Sequence, residues 1–352
     1  MTDANDFATR VTLHDVAKAA GVSIGTVSNY MNGYPYMSTA TKERVQDVID
    51  RLGYVVNGTA RNLRRGVTRL LSLSIPDLTQ VYFAELAEEI IQVAREYDYG
   101  VIVESTGYDA AREMHSIQIM SQRMTDGLIL SPLKLSDGDA QKIKGDFPLV
   151  VLGESMFDVD APHIIVQNIE AAKTATCHLV AAGCRSVAIV GGAIAPDNVS
   201  ARSLRTEGYV EALRECNIPI DQRLIRETGD WNSRAGARAI ADMMQEGLRF
   251  DGVFACNDML SFGVISQLKE MGVSVPAQVQ VVGFDNIDES QYTTPSLTTI
   301  NPGRRQIAKL AVESILDQVN LGRRAQKQRI EAEYSLVCRQ SSPGFPIIGT
   351  RK

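Results

Sequence analysis

The sequence predicts an α/β chain: an all-helical N-terminal headpiece, then two doubly wound parallel-sheet subdomains. Three observations predict it. Apolar residues in the first sixty positions recur at helical spacing, strand–helix units begin at Thr68, and the same theme restarts after Ile169. A chain of 352 residues has room for two or three folded units, each with its own core.

Composition narrows the class. Apolar content of 44% and charged content of 22% are those of an ordinary globular protein, which sets aside disordered and membrane classes. No apolar run reaches the length of a spanning helix. The opening "MTDANDFATR" is acidic and lacks an apolar core, so no secretory signal and a cytoplasmic location are expected. The five cysteines (Cys177, Cys184, Cys216, Cys256 and Cys338) are odd in number and form no C-x-x-C pair, which favours reduced thiols over disulfides or zinc. The net charge of −6 hides an asymmetry: residues 1–66 hold eight Lys/Arg and six Asp/Glu, so the acidic excess lies in the remainder.

The elements follow in order. Thr12 and Asp15 have capping-box spacing before a helix carrying Val16, Ala17 and Ala20, and Gly21 ends it. Ser23 caps a second helix that runs to Met31 with Val27 and Met31 inward. Residues 33–37 make a turn around Pro35. Ser38 caps a third helix whose apolar face is Val45, Val48, Ile49 and Leu52. Residues 55–66, "VVNGTARNLRRG", carry three basic residues but little to bury, and suit a linker or a marginal helix.

From Thr68, "RLLSLSIPD" reads as a strand, "FAELAEEIIQVAREYD" as an amphipathic helix and "YGVIVEST" as a strand. A helix over 110–123 and the strands "DGLILSP" and "FPLVVLGE" follow. The second unit begins with a helix over 171–182 and continues through "SVAIVGG", the helical "EGYVEALREC", "FDGVFACND" and "VQVVGFD". A helix over 301–321 and a closing strand "IEAEYSLVCR" complete it, leaving "QSSPGFPIIGTRK" as a peripheral tail. Open parallel sheets bind ligands beyond the carboxyl ends of their strands. That rule selects residues 77–83, Ser131 and Pro132, the loop after Gly192, Asn257 with Asp258, and Asp285 with Asn286.

Chemistry is sparse. No G-x-G-x-x-G or Walker sequence and no strand-to-helix G-x-S-x-G elbow occurs, His163 and His178 lack a nucleophile, and no metal cluster has suitable spacing, so an enzyme, a cofactor and a metal are not expected. His178 reads as a helix-surface residue. In the headpiece, Ser23, Ile24, Thr26, Ser28 and Asn29 lie outward if Val27 and Met31 lie inward; small side chains approach base edges closely, and Asn can pair with adenine. Spacing alone leaves a groove-reading pair and a structural hairpin open.

"VTLHDVAKAAGVSIGTVSNYMNG" with "MSTATKERVQDVIDRLGYVVNGTARNLRRG" closely resembles the headpiece of the LacI/GalR family of bacterial transcription regulators, over residues 11–66 without a gap. The α/β remainder resembles the periplasmic-binding-protein-like effector domain of that family. The resemblance implies a repressor that binds double-stranded operator DNA as a homodimer on pseudo-palindromic half-sites and senses a small sugar-like effector. A stand-alone sugar-binding protein is the alternative. The resemblance places Ile24, Gly25 and Asn29 at specificity positions, with Ser23, Thr26, Ser28, Asn32, Tyr54 and Asn57 at the DNA backbone. It makes 58–65 a hinge helix, in which Leu63 wedges into the minor groove beside Ala60, Arg61 and Arg64.

In the effector domain the resemblance assigns a sugar-stacking role to Trp231, a sugar-contacting arginine to Arg205, and hydroxyl binding to Asn257 and Asp285. By composition alone Trp231 reads first as a core aromatic. Asp77, Gln80, Tyr82 and Phe83 follow the first strand and can complete the pocket, although Phe83 serves equally as core. Arg202 reads as surface. The family organisation gives a headpiece at 9–56, a hinge at 57–66 and an effector domain at 68–340. Its N-subdomain is about 68–167 plus 299–327, its C-subdomain about 168–298 plus 328–340, and the crossings lie near 167, 298 and 328. Gln167 departs from the aspartate common in relatives, and Gly25 and Asn29 are not the commonest readers. Asn29→Arg is therefore expected to change operator preference, measured by selection from an operator library; an unchanged preference contradicts a reading role for Asn29.

Overall fold

The computed structural model of the protein describes residues 11–31, 34–54, 67–120, 124–143, 145–155, 158–194 and 199–343. The chain divides into two compact units, Met1–Thr68 and Arg69–Lys352. The first holds α1 (Leu13–Ala20), α2 (Ile24–Met31) and α3 (Thr39–Leu52). Thr12 Oγ1 accepts from Asp15 N, and Asp15 Oδ2 from Thr12 N, so the capping box is reciprocal. Ser23 Oγ accepts from Thr26 N at 3.0 Å and Ser38 Oγ from Thr41 N at 3.3 Å. Val16, Ala17, Ala20, Val27, Val45 and Val48 form the core, with Met31, Ile49, Leu52 and Tyr54 packed around it.

The second unit holds two sheets of six strands. β1 (Leu70–Ile75), β2 (Gly100–Ser105), β3 (Gly127–Leu130), β4 (Leu149–Leu152) and β5 (Pro162–Val166) lie in the first, with α4 (Val81–Glu96), α5 (Ala110–Ile119) and α6 (Asp137–Ala140) between them in sequence. The second contains β6 (Val187–Val190), β7 (Ile225–Arg226), β8 (Gly252–Ala255), β9 (Gln280–Phe284) and β10 (Thr298–Asn301). Its helices are α7 (Asn168–Ala181), α8 (Ala201–Glu215), α9 (Ser233–Gln245) and α10 (Asp258–Glu270). After α11 (Arg304–Leu321), β11 (Gln328–Ala332) returns to the first sheet and β12 (Ser335–Val337) to the second. The strand orders are β11-β5-β4-β3-β1-β2 and β12-β10-β9-β8-β6-β7. All pairs are parallel except β10 with β12; Leu71 pairs with Gly127 in one sheet and Val253 with Val281 in the other.

Two of the expected crossings move. β10 stays paired with β9 through Ile300, so the chain leaves the second lobe at 302–303, not near 298. Gly303, at φ 75°, then starts α11. The stretch "IEAEYSLVCR" is not one strand. Residues 328–332 extend the first sheet beside β5, and only after them does the chain pass to the second lobe. Ala332 is buried in the first lobe, whereas the Tyr334 hydroxyl meets Thr174 Oγ1 at 2.9 Å on α7. The third crossing therefore lies at 333–334 and not at 328. The helix expected over 110–123 closes at Ile119, and that expected over 171–182 begins at Asn168.

The tail also differs from expectation. Ser341 and Ser342 are fully buried. Ser341 Oγ donates to Val281 O at 2.7 Å, Ser342 Oγ to Gln280 Oε1 at 2.7 Å, and His178 Nε2 lies 2.9 Å from Ser342 Oγ. His178 is thus half-buried under a strap rather than on a free surface, and burial lowers its pKa.

Close helix pairing rests on glycine. A Cβ at Gly208 of α8 would stand 2.1 Å from Ile169 O, and one at Gly263 of α10 would stand 1.8 Å from Ser233 O. Backbone cannot yield as a side chain can. Gly263→Ala is expected to cost about 3 kcal/mol, read as a lowered urea midpoint at unchanged slope; a loss below about 1 kcal/mol contradicts the packing argument.

Candidate functional site

The headpiece presents an outward row on α2. Ser23, Ile24, Gly25 and Asn29 are exposed, Ile24 by 45%, while Thr26 and Ser28 are half-buried. The Thr26 hydroxyl is 2.9 Å from Ser23 Oγ, which orients both at the helix start. A Cβ on Gly25 would meet only Ser23 Oγ, at 3.6 Å, so the fold does not demand glycine there. Tyr54 packs its ring against the headpiece core. Beside α2, Tyr34 and Tyr36 stack edge-on with centroids 5.6 Å apart, and Tyr36 is 86% exposed. No expectation had included that pair, since a tyrosine in a turn carries no periodic signal. Asn32, Asn57, Ala60, Arg61, Leu63 and Arg64, also expected at the DNA, lie outside the described residues.

In the second unit the sequence-selected residues converge on Arg205, which α8 carries between the lobes. Its guanidinium is buried. Nε donates to Asn168 Oδ1 at 2.7 Å, Nη1 donates to Cys256 O, and Nη1 lies 3.9 Å from Asp285 Oδ1. The guanidinium carbon stands 3.5 Å from the Phe284 ring centroid and 5.4 Å from that of Trp231. Asn168 passes the chain onward, donating from Nδ2 to Glu154 Oε1 at 2.5 Å. Glu154 comes from the first lobe, just beyond β4.

Asn257 serves the site indirectly. Its Oδ1 accepts from Leu260 N at 2.8 Å and caps α10, and its Nδ2 donates to Trp231 O at 3.1 Å. It thereby fixes the tryptophan backbone. Trp231 Nε1 is buried and has no hydrogen-bond partner among the described residues. Asp258, next in sequence, is consumed by the fold: its carboxylate accepts from Ile287 N, Ser290 Oγ and Thr299 Oγ1.

Asp285 sits at φ 115°, a backbone state that side chains rarely adopt. Burial pushes its carboxyl well above the usual range; Arg205 opposes the rise and Asp258 adds to it. Burial raises Glu154 as well, against the pull of Arg205. The first lobe grips the same loop. Arg304 Nη1 donates to Asp285 O and Nη2 to Asn286 O at 3.0 Å, while Nη2 also pairs with Glu85 Oε2 at 2.8 Å. Glu85 Oε1 in turn accepts from Asp288 N at 2.9 Å.

Tyr82, in the first turn of α4, faces this cluster: burial raises its phenol, and the charges of Asp285 and Arg205 act on it in opposite senses. Phe83 stacks edge-on against Tyr82 at 5.3 Å, and Gln80 opens α4 without a side-chain cap bond. Asp77 is spent on a local turn, accepting from Thr79 N at 2.8 Å. It also acts on Tyr108, whose phenol is raised to about 12 by burial first, then by Asp77 and Asp230. Tyr82, Arg205, Trp231, Asn257 and Asp285 therefore form one neighbourhood, with Asp77 at its edge. Glu154, Asn168, Glu85 and Arg304 were missed; they belong to separate sequence segments and have no motif.

A two-lobed α/β unit with a polar cluster between its lobes, preceded by a compact three-helix unit with an outward recognition-type helix, defines a ligand-binding regulator architecture. The family model "Bacterial regulatory proteins, lacI family" matches residues 12–57, and that of a periplasmic binding protein-like domain matches residues 176–342. The transcriptional repressor CytR of Escherichia coli K12 is 30% identical, over 88% of this chain and 90% of that protein. A solved LacI-family transcriptional regulator from Sanguibacter keddieii is 40% identical, covering 78% of this chain and 99% of that one, with a TM-score of 0.72. The lac repressor dimer bound to operator and an anti-inducer is 27% identical, covering 95% and 99%, with a TM-score of 0.82. The chain belongs to the lacI family of bacterial regulatory proteins. It is a sequence-specific DNA-binding transcriptional regulator and not an enzyme.

The raised Asp285 carboxyl has a signed consequence. The folded state holds that proton more tightly than the unfolded chain, so its contribution to stability falls as pH rises from the unfolded value through the folded one. Asp285→Asn is expected to flatten that fall, read as the wild-type-minus-variant difference in urea stability between pH 5 and 8. A difference that grows in the opposite sense contradicts the assignment.

Proposed function

We propose that the protein is a cytoplasmic homodimeric repressor whose operator affinity is set by a small sugar-like effector held between the two lobes. Residues 9–56 take pseudo-palindromic half-sites, residues 57–66 form the coupling hinge, and the unit that follows binds effector and partner protomer. Ile24, Gly25 and Asn29 read bases, while Ser23, Thr26, Ser28, Asn32, Tyr54 and Asn57 hold the phosphate backbone. Leu63, with Ala60, Arg61 and Arg64, engages the minor groove.

The observation that carries the effector reading is the cluster around Arg205. It joins a fixed guanidinium, two buried carboxyls, an amide and a buried indole N–H that has no partner among the described residues, with residues from both lobes. Such groups suit vicinal hydroxyls: carboxyls and amides accept or donate, and the guanidinium supplies a rigid donor fork. Tyr82, Trp231 and Phe83 supply apolar walls, with Asp77 and Gln80 at the margin and Asn257 holding Trp231 in place. The relation to the lac repressor, solved as a dimer on operator, supports the dimer and half-site reading. Ligand and operator then influence each other's affinity reciprocally.

The test is a fluorescence-anisotropy titration of the full-length protein on its own upstream DNA, with and without a panel of sugars and nucleosides. A ten-fold or larger change in operator affinity with one compound, lost in Arg205→Ala, is expected. Operator binding that no compound alters, and that Arg205→Ala leaves as it was, contradicts the effector reading. Wild-type affinity should also fall steeply with salt, because phosphate contacts release counterions.

A further inference from the structure

The rim of the cleft carries a second arginine, and its setting speaks to the chemistry of the effector. Arg202 lies one turn before Arg205 on α8. Its Nη2 donates to Thr228 O at 2.7 Å and its Nη1 to Gly192 O at 3.4 Å, and its guanidinium carbon stands 5.6 Å from the Trp231 ring centroid. Two backbone carbonyls thus fix the plane of the group. Its own helix is tied to the same wall, because Thr206 Oγ1 donates to Arg202 O and accepts from Ala193 N.

What fixes Arg202 does not neutralise it. Among the described residues it makes no ion pair with a carboxylate, whereas Arg226, Arg304 and Arg305 each pair with glutamate. The carboxylates that flank Thr228 in sequence are otherwise placed: Glu227 Oε1 accepts from Ile194 N at 2.8 Å, and the exposed Asp230 acts on Tyr108. A guanidinium oriented by neutral acceptors keeps its full charge and its remaining N–H groups for a ligand.

Two further polar groups belong to this wall. Trp231 Nε1 and Thr228 Oγ1 are both buried and without a partner among the described residues. Gly191, at φ 93°, packs so closely that a Cβ there would stand 3.2 Å from Trp231 Nε1 and 2.6 Å from Leu260 Cδ1. The indole edge is therefore held in register with the end of β6. Among the described residues, hydrogen-bond donors outnumber acceptors here, around one positive charge that no carboxylate pairs.

We propose that the effector carries an anionic substituent, a phosphate or a carboxylate, and that Arg202 with Trp231 Nε1 and Thr228 Oγ1 forms the subsite that receives it. This rests on the effector reading above and deepens it. Arg205 and Asp285 address the polyol, and Arg202 addresses the charge. Arg202 is thus a specificity residue, since a neutral analogue leaves its charge uncompensated and the indole N–H unmatched.

The full-length protein is titrated by calorimetry, at fixed ionic strength, with ribose, ribose 5-phosphate, glucose, glucose 6-phosphate, glucuronate and inorganic phosphate. At least one anionic sugar is expected to bind ten-fold or more tightly than its neutral parent. Arg202→Gln should collapse that ratio and Arg202→Lys should restore part of it, which a merely structural role would not do. Inorganic phosphate should compete with the anionic sugar on wild type and lose that effect in Arg202→Gln. The phosphate and glucuronate arms separate the two anions. Neutral sugars that bind as well as their anionic forms, or a ratio unmoved by Arg202→Gln, overturn the subsite and leave the effector reading standing. If no sugar of either kind binds or shifts operator affinity, the effector reading fails and the subsite falls with it.

Discussion

The burial of the Arg205 guanidinium is the constraint around which the second unit is arranged. Moving such a charge out of water costs several kcal/mol unless hydrogen bonds and counter-charge replace the solvent. The replacement comes from the Asn168 amide, the Cys256 carbonyl, the more distant Asp285 carboxyl and two aromatic faces. Every one of those groups stands at or beyond the carboxyl end of a strand, or opens the helix that follows. The nearby carboxyls are pushed toward their neutral forms by the same burial, so the compensation is incomplete. A polar ligand that supplies further partners has something to gain at this position.

The cluster also joins the lobes. Glu154 and the Glu85–Arg304 pair come from the first lobe, while Asn168, Asp285 and the backbone of Asp288 come from the second. A ligand can shift an arrangement only by its difference in affinity between two states. Polar contacts that span the lobes are where that difference is stored, because they lengthen or break when the lobes move while each sheet keeps its own ladder. The helix pairs α7 with α8 and α9 with α10, packed backbone to backbone at Gly208 and Gly263, are rigid by comparison.

The three-helix unit follows a different economy. Six small or β-branched side chains make its core, and side-chain caps at Thr12, Ser23 and Ser38 start its helices. That leaves the outer face of α2 free of packing duty. Gly25 illustrates it: space for a side chain exists, so the fold does not require glycine there.

Much of this was legible from the chain alone, because it depends on neighbours in sequence. Capping boxes, helical spacing, alternating strands and helices, and the strand ends near Asp77, Asn257 and Asp285 are written within a few residues of each other. The sequence could name Arg205, Trp231 and Asp285 through family resemblance, but not what surrounds them. Asn257 was expected to meet a ligand; only the fold turned its amide onto the Trp231 backbone. Arg202 read as surface until Thr228, Gly192 and Trp231 were brought to it from segments far along the chain. The third crossing at 333–334 and the buried strap at Ser341 and Ser342 were decided the same way, by pairing with β5 and β9. Local periodicity determines which elements form and which face is apolar; non-local hydrogen bonds and charge burial determine which polar residues end up together.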